Sequence, residues 1–174
     1  DFVSRNDGFK AFVSDVLTHV LNSNATGDVL TQPFTKTPSK TVGEALKEAI
    51  ATIGENLVIR RAEKYSVTGE GLVHTYIHGE GKIGVMIEVG AANSAAASSA
   101  DAKTFASDVC LHIAAMNPMA LSQADMSPEV VAKEKEILKQ KNLESGKKPE
   151  MVDKIVEGQI RKFLAENCLM DQAF

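Results

Sequence analysis

The feature that most narrows what this chain can fold into is a repeat of its own pattern. Apolar residues Phe9, Phe12, Val13, Val16, Leu17 and Val20 follow helical spacing, one stripe of an amphipathic helix. The stripe returns as Ala102, Phe105, Ala106, Val109, Cys110 and Ile113, each 93 residues after its counterpart. The letters agree as well: Phe12-Val-Ser14-Asp15-Val16-x-x-His19 against Phe105-Ala-Ser107-Asp108-Val109-x-x-His112. A second echo pairs Thr31-Gln32-Pro33-Phe34 with Asp171-Gln172-Ala173-Phe174 at an offset of 140. The difference between the offsets, 140 less 93, measures an insertion of 47 residues in the second copy. An internal duplication explains both echoes, and chance explains them poorly.

Between the copies lies Leu72 to Val89, two alternating runs around Gly79-Glu80-Gly81, which reads as a β-hairpin at the centre of a sheet. Placing Ile77 opposite Ile83 sets Thr75 against Val85 and Val73 against Ile87 on one face. The other face then pairs Tyr76 with Gly84 and His74 with Met86. Asn6 or Asp7 can cap the first helix, and Asn22 to Pro38 reads as a connecting loop. Thr41-Val42-Gly43-Glu44 is a capping box opening a second helix with Val42, Leu46, Ala49, Ile50 and Ile53 on its buried face, stopped by Gly54. Leu57-Val58-Ile59 reads as a strand, and Gly90 to Ser99 as a flexible connector.

The insertion has its own periodicity. Ser127-Pro128 starts a helix lined by Val130, Val131, Glu134, Ile137, Leu138 and Lys141. Ser145 to Pro149 breaks it, and a second helix carries Met151, Val152, Ile155, Val156, Ile160, Phe163 and Leu164. Such a pair is expected to form an antiparallel helical hairpin, a coiled-coil-like arm whose Lys and Glu faces are solvated. Each copy of the repeat is incomplete at one end, and the chain starts without Met, so a segment of a longer protein is expected. The expected fold class is α+β. It has two duplicated subdomains with antiparallel sheets packed on helices, 1–70 and 71–127, then the arm at 128–167 and a return at 168–174.

Chemistry-bearing constellations are scarce. A net charge of −4 argues against non-specific nucleic-acid binding, and no run approaches the ~18 apolar residues of a membrane span. Two cysteines, Cys110 and Cys168, are too few for a disulfide framework and point to reduced thiols in a cytoplasmic setting. Gly79-Glu80-Gly81-Lys82 precedes a strand, so it is a hairpin turn and not a phosphate cradle. His74 and His78 on one strand stand roughly 13 Å apart, too far to share a metal. His19 and His112 fall off the apolar stripes and read as surface residues; Cys110 reads as a core thiol. No enzyme, cofactor or metal site is expected. Two places suggest binding instead: Asp1-Phe2-Val3, where the ordinary reading buries Phe2 under the first helix, and His78 at the hairpin tip.

At these residues the chain resembles the elongation factor Ts family. Asp1-Phe2-Val3-Ser4-Arg5-Asn6 is similar to the family's Thr-Asp-Phe-Val motif and its following Ala-Arg-Asn, without the threonine and with Ser4 at the alanine. Ile53-Gly54-Glu55-Asn56-Leu57-Val58-Ile59-Arg60-Arg61 resembles its Ile-Gly-Glu-Asn signature. Tyr76-Ile77-His78-Gly79 with Ile83-Gly84-Val85 matches its hairpin, and Val156 to Phe163 the end of its helical arm. The resemblance implies guanine-nucleotide exchange on elongation factor Tu, with no nucleotide or magnesium bound by this chain. It further implies partner contacts through Asp1, Phe2, Val3, His78 and Gly79. Phe2 would insert between partner helices, Asp1 would approach the groups that position magnesium, and His78 would meet a second surface. No direct contact with nucleic acid or membrane is expected, while open sheet edges favour self-association. The competing expectation is a scaffold that docks proteins through the arm without exchange.

Overall fold

The computed structural model describes residues 2–23 and 28–174, a mixed α+β chain. It divides into two compact units, Asp1–Ser99 and Ala100–Phe174. Among the described residues no helix is long and apolar enough to cross a membrane.

In the first unit, α1 (Asp7–Asn22) begins where Asn6 turns its side-chain oxygen to accept the Phe9 N–H at 3.0 Å. Residues 24–27 of the expected loop lie outside the described residues. The rest is more ordered than a plain connector. A 3-10 turn at Val29–Thr31 leads into β1 (Pro33–Phe34) and β2 (Thr37–Thr41), which pair antiparallel across a bulge. The short strands gain stability from burial, since Phe34 joins Val16 and Val42 in the core with Phe12, Val20 and Ile59 around them. Val42 is fully buried, and such a side chain contributes about 1.5–3 kcal/mol. It opens α2 (Val42–Ile53), whose capping box joins Thr41 and Glu44 and whose end is Gly54 at φ +79°.

Leu57-Val58-Ile59 forms no strand. The alternation expected of one survives, with Leu57 and Ile59 half-buried and Val58 facing out, but a strand also needs a partner for its ladder hydrogen bonds. None pairs with it among the described residues.

The hairpin is present as β3 (Gly71–His78) and β4 (Ile83–Gly90), in a register one residue from the expected one. His78 stands opposite Ile83, Tyr76 opposite Val85 and His74 opposite Ile87. The turn explains the shift. Gly79, Glu80 and Gly81 are all left-handed, and Lys82 N–H bonds Gly79 O, so four residues and not five make the loop. A one-residue slip exchanges partners between faces. Val85, the buried residue of β4, therefore shares its face with Tyr76, while Ile77 lies on the opposite, exposed face with Gly84. The expected connector after β4 contains α3 (Ser94–Ser98), because Asn93 caps it through the Ala96 N–H and alanine favours helix. α3 packs on β3 and buries Ala97.

In the second unit, α4 (Ala100–Met116) repeats α1 and buries Ala106 and Cys110. Two further helices, α5 (Pro128–Glu144) and α6 (Pro149–Asn167), are joined by a short loop and pack on one another. Val152, Val156 and Ile160 of α6 meet Val131, Leu138 and Leu143. The α5 seam departs from expectation at its edges: Ile137 is exposed, and Asn142 is buried in the place the stripe assigned to Lys141. Asn142 Nδ2 donates to Leu138 O and Gln159 Oε1, both at 2.7 Å, which makes its burial tolerable. A 3-10 turn at Leu169–Asp171 follows α6.

Candidate partner-binding site

Of the residues singled out for binding, Asp1 lies outside the described residues; Phe2, Val3, His78 and Gly79 belong to the first unit. Phe2 precedes a 3-10 turn, Val3–Arg5, closed by Arg5 N–H on Phe2 O at 3.3 Å. Its ring is not buried under α1, as a large apolar side chain ordinarily would be. It is 94% exposed. Val3 points the other way, half-buried along a groove of about 670 Å³ shared with Phe9, Phe12, Val16 and Leu57. The turn thus anchors itself by Val3 and presents Phe2.

His78 ends β3 and is exposed. Its Nδ1 is 2.7 Å from the Tyr76 hydroxyl, two residues back on the same face, with the rings 5.9 Å apart. Tyr76 thereby fixes the imidazole's orientation, and Nε2 has no hydrogen-bond partner among the described residues. Gly79 follows at φ +59°.

What brings these segments together is a pair of residues that sequence reading passed over. Arg5 forks onto Glu80, with Nε 3.1 Å and Nη2 3.0 Å from Oε2, and Nη2 3.2 Å from Oε1. The signal available in the sequence was slight: one cation three residues after Phe2 and one anion two residues after His78.

The histidines of the repeat correct another expectation. His19 is buried, because both ring nitrogens are satisfied. Nε2 lies 2.9 Å from Gln32 Oε1, and Nδ1 2.8 Å from Thr35 Oγ1 and 3.3 Å from the Thr35 N–H. His112 is half-buried and makes the same 2.9 Å contact with Gln172. These are structural locks, not surface groups. Cys110 and Cys168 are buried free thiols, and burial pushes both up from the ordinary thiol range; the charges of Asp171 and Asp125 add to the effect at Cys168. Neither is activated as a nucleophile. Among the described residues no three His, Cys, Asp or Glu side chains gather to hold a metal ion.

The arrangement offers an exposed aromatic on a fixed turn and an oriented imidazole on a hairpin tip. The family model described as Elongation factor TS matches residues 1–174. Three relatives named Elongation factor Ts are each matched over 100% of this chain. The protein from Bdellovibrio bacteriovorus is 64% identical, that from Clostridium perfringens (strain 13) 46% and that from Trichlorobacter lovleyi 43%. The chain spans 56% of the length of each of these relatives. A family model matched over residues 1–174 and a relative 64% identical over the whole chain place this protein in the elongation factor Ts family.

Proposed function

We propose that this chain is the part of a translation elongation factor that promotes guanine-nucleotide exchange on elongation factor Tu. The observation that carries the reading is Phe2, a large aromatic 94% exposed on a hydrogen-bonded turn. An aromatic side chain presented on an ordered turn suits the anchor of an interface, a role in which aromatics are enriched.

Exchange requires no bond chemistry and no cofactor in this chain. The factor must bind the nucleotide-free partner more tightly than the loaded one, and linkage makes that preference reciprocal. Each ~1.4 kcal/mol of coupling weakens nucleotide binding tenfold. A nucleotide site of this kind is held by backbone amides around the phosphates and by magnesium. Inserting Phe2 between partner helices would displace the elements that position the ion. Val3 would seat the turn, His78 and Gly79 would engage a second surface, and Asp1 would add a carboxylate near the magnesium ligands. The protein would then be a cytoplasmic factor and not an enzyme.

The test is release of labelled GDP from elongation factor Tu by the full-length protein and its Phe2→Ala variant. Release that Phe2→Ala slows at least tenfold supports the wedge role; equal rates overturn it. A second reading, docking through α5 and α6 without exchange, draws on the exposed Ile137 and Met151 of that helix pair. GDP release by the full-length protein separates the two, since the scaffold reading expects no release and an association that is lost when Pro128 to Asn167 is deleted.

A further inference from the structure

The two segments proposed to meet the partner are carried by different elements, and Arg5 and Glu80 are 75 positions apart in sequence. The ion pair between them is about two-thirds exposed on both sides, 67% and 63%. A pair so open to solvent contributes little to the stability of the fold. Its geometry is nonetheless specific, a three-contact fork of guanidinium on carboxylate.

Two features indicate that the fork serves position. Phe2 and Arg5 bracket a single 3-10 turn, in which residues three apart lie on one side of the backbone. Whatever holds Arg5 therefore restrains the direction of Phe2. On the other side, Glu80 sits at φ +57°, a left-handed conformation uncommon for a residue with a side chain. Its neighbours Gly79 and Gly81 take the same region without penalty, and a third glycine would have been the unstrained choice. The only hydrogen bonds the Glu80 side chain makes among the described residues are those with Arg5. His78 stands two residues before it, its ring held by Tyr76.

The geometry points to Arg5 and Glu80 as a positioning pair: they hold the Phe2 turn and the His78 tip in one frame before the partner arrives. The inference rests on the exchange reading above and adds residues that touch one another and not the nucleotide. Pre-ordering two contact points removes the cost of ordering them during encounter, so losing the pair weakens productive engagement and leaves the fold intact.

The experiment measures the second-order rate of labelled GDP release from elongation factor Tu by the full-length protein. Variants are Arg5→Glu, Glu80→Arg, the double exchange of charges, and Arg5→Lys, with melting temperatures in parallel. Each single reversal is expected to lower the rate about fivefold to tenfold with an unchanged melting temperature. The double exchange is expected to return the rate to within about twofold of wild type, and Arg5→Lys to fall between, since lysine keeps the charge but loses the fork. Wild-type rates in both single variants overturn the inference. So does a double exchange no better than the worse single, because Arg5 or Glu80 would then meet the partner directly. If wild type releases GDP and Phe2→Ala does not, those outcomes sink the pair alone. If wild type itself fails to release GDP, both the exchange reading and the pair fall.

Discussion

His19 Nε2 stands 2.9 Å from Gln32 Oε1, and 93 residues on His112 Nε2 stands 2.9 Å from Gln172 Oε1. Each histidine also faces the aromatic of its own copy, Phe34 at 5.9 Å and Phe174 at 5.6 Å between ring centroids. The 3-10 turns preceding the glutamines, Val29–Thr31 and Leu169–Asp171, keep the same offset of 140. The duplication is thus a repeat of a hydrogen-bonded joint. In the first copy, the Thr35 N–H donates to Nδ1, so Nε2 carries the proton given to Gln32. Gln32→Ala leaves that buried N–H without its acceptor and is expected to cost about 1–3 kcal/mol. Denaturant titration checks it, and a loss below 0.5 kcal/mol would show the joint to be dispensable.

The α2 cap carries a pH dependence of definite sign. The Thr41 N–H at 2.7 Å, and then its hydroxyl, hold the Glu44 carboxyl below the usual glutamate range. A group that loses its proton more readily in the folded chain stabilises it above the unfolded pKa, and that contribution disappears as pH falls through the folded value. The advantage of wild type over Glu44→Gln should therefore be present at pH 7 and shrink below about pH 4. Thr41→Ala removes the acceptor of the Glu44 N–H as well and should cost about 1 kcal/mol at neutral pH. Thermal melts across pH 3 to 7 measure both.

Cys110 and Cys168 are fully buried, with thiols pushed up by burial. A thiol reagent at pH 8 should react with neither over minutes in native buffer and with both once the chain is unfolded. Rapid native labelling of either would show local opening around it. Cys110→Ser places a hydroxyl in an apolar site and is expected to cost about 1–3 kcal/mol.

Asn142 and Gln159 form a polar contact inside an otherwise apolar seam. Asn142→Ala leaves Gln159 Oε1 without its donor and opens a gap in the seam, and should lower stability by about 1–2 kcal/mol. Replacing both residues with leucine should recover most of that loss, because burying two apolar groups removes the unmet demand. A double variant as unstable as the single would mean the pair contributes through shape.

The longer helices were legible in the letters, while α3 lay in a segment that read as a connector. Asn6, Thr41 with Glu44, and Pro128 act within a turn of their own position, so the starts of α1, α2 and α5 can be read locally. The hairpin was legible, its register was not: whether four or five residues make the turn depends on three consecutive left-handed conformations, one of them at Glu80. Leu57 to Ile59 shows the same limit, since alternation marks a strand's faces but cannot supply its neighbour. Phe2 and His19 were each misjudged by the usual rule for their type. The aromatic is in water and the imidazole is inside.

Family, helix order and the duplication followed from residue identity and spacing, because motifs, caps and periodicity are properties of a continuous stretch. Which candidate residues work together was decided by tertiary structure. Arg5 and Glu80 meet across 75 positions only because a 3-10 turn and a hairpin turn aim them at each other. His19 is buried because Gln32 and Thr35 fold back over it. Contacts between distant segments depend on the direction of side chains in space, which no local pattern encodes.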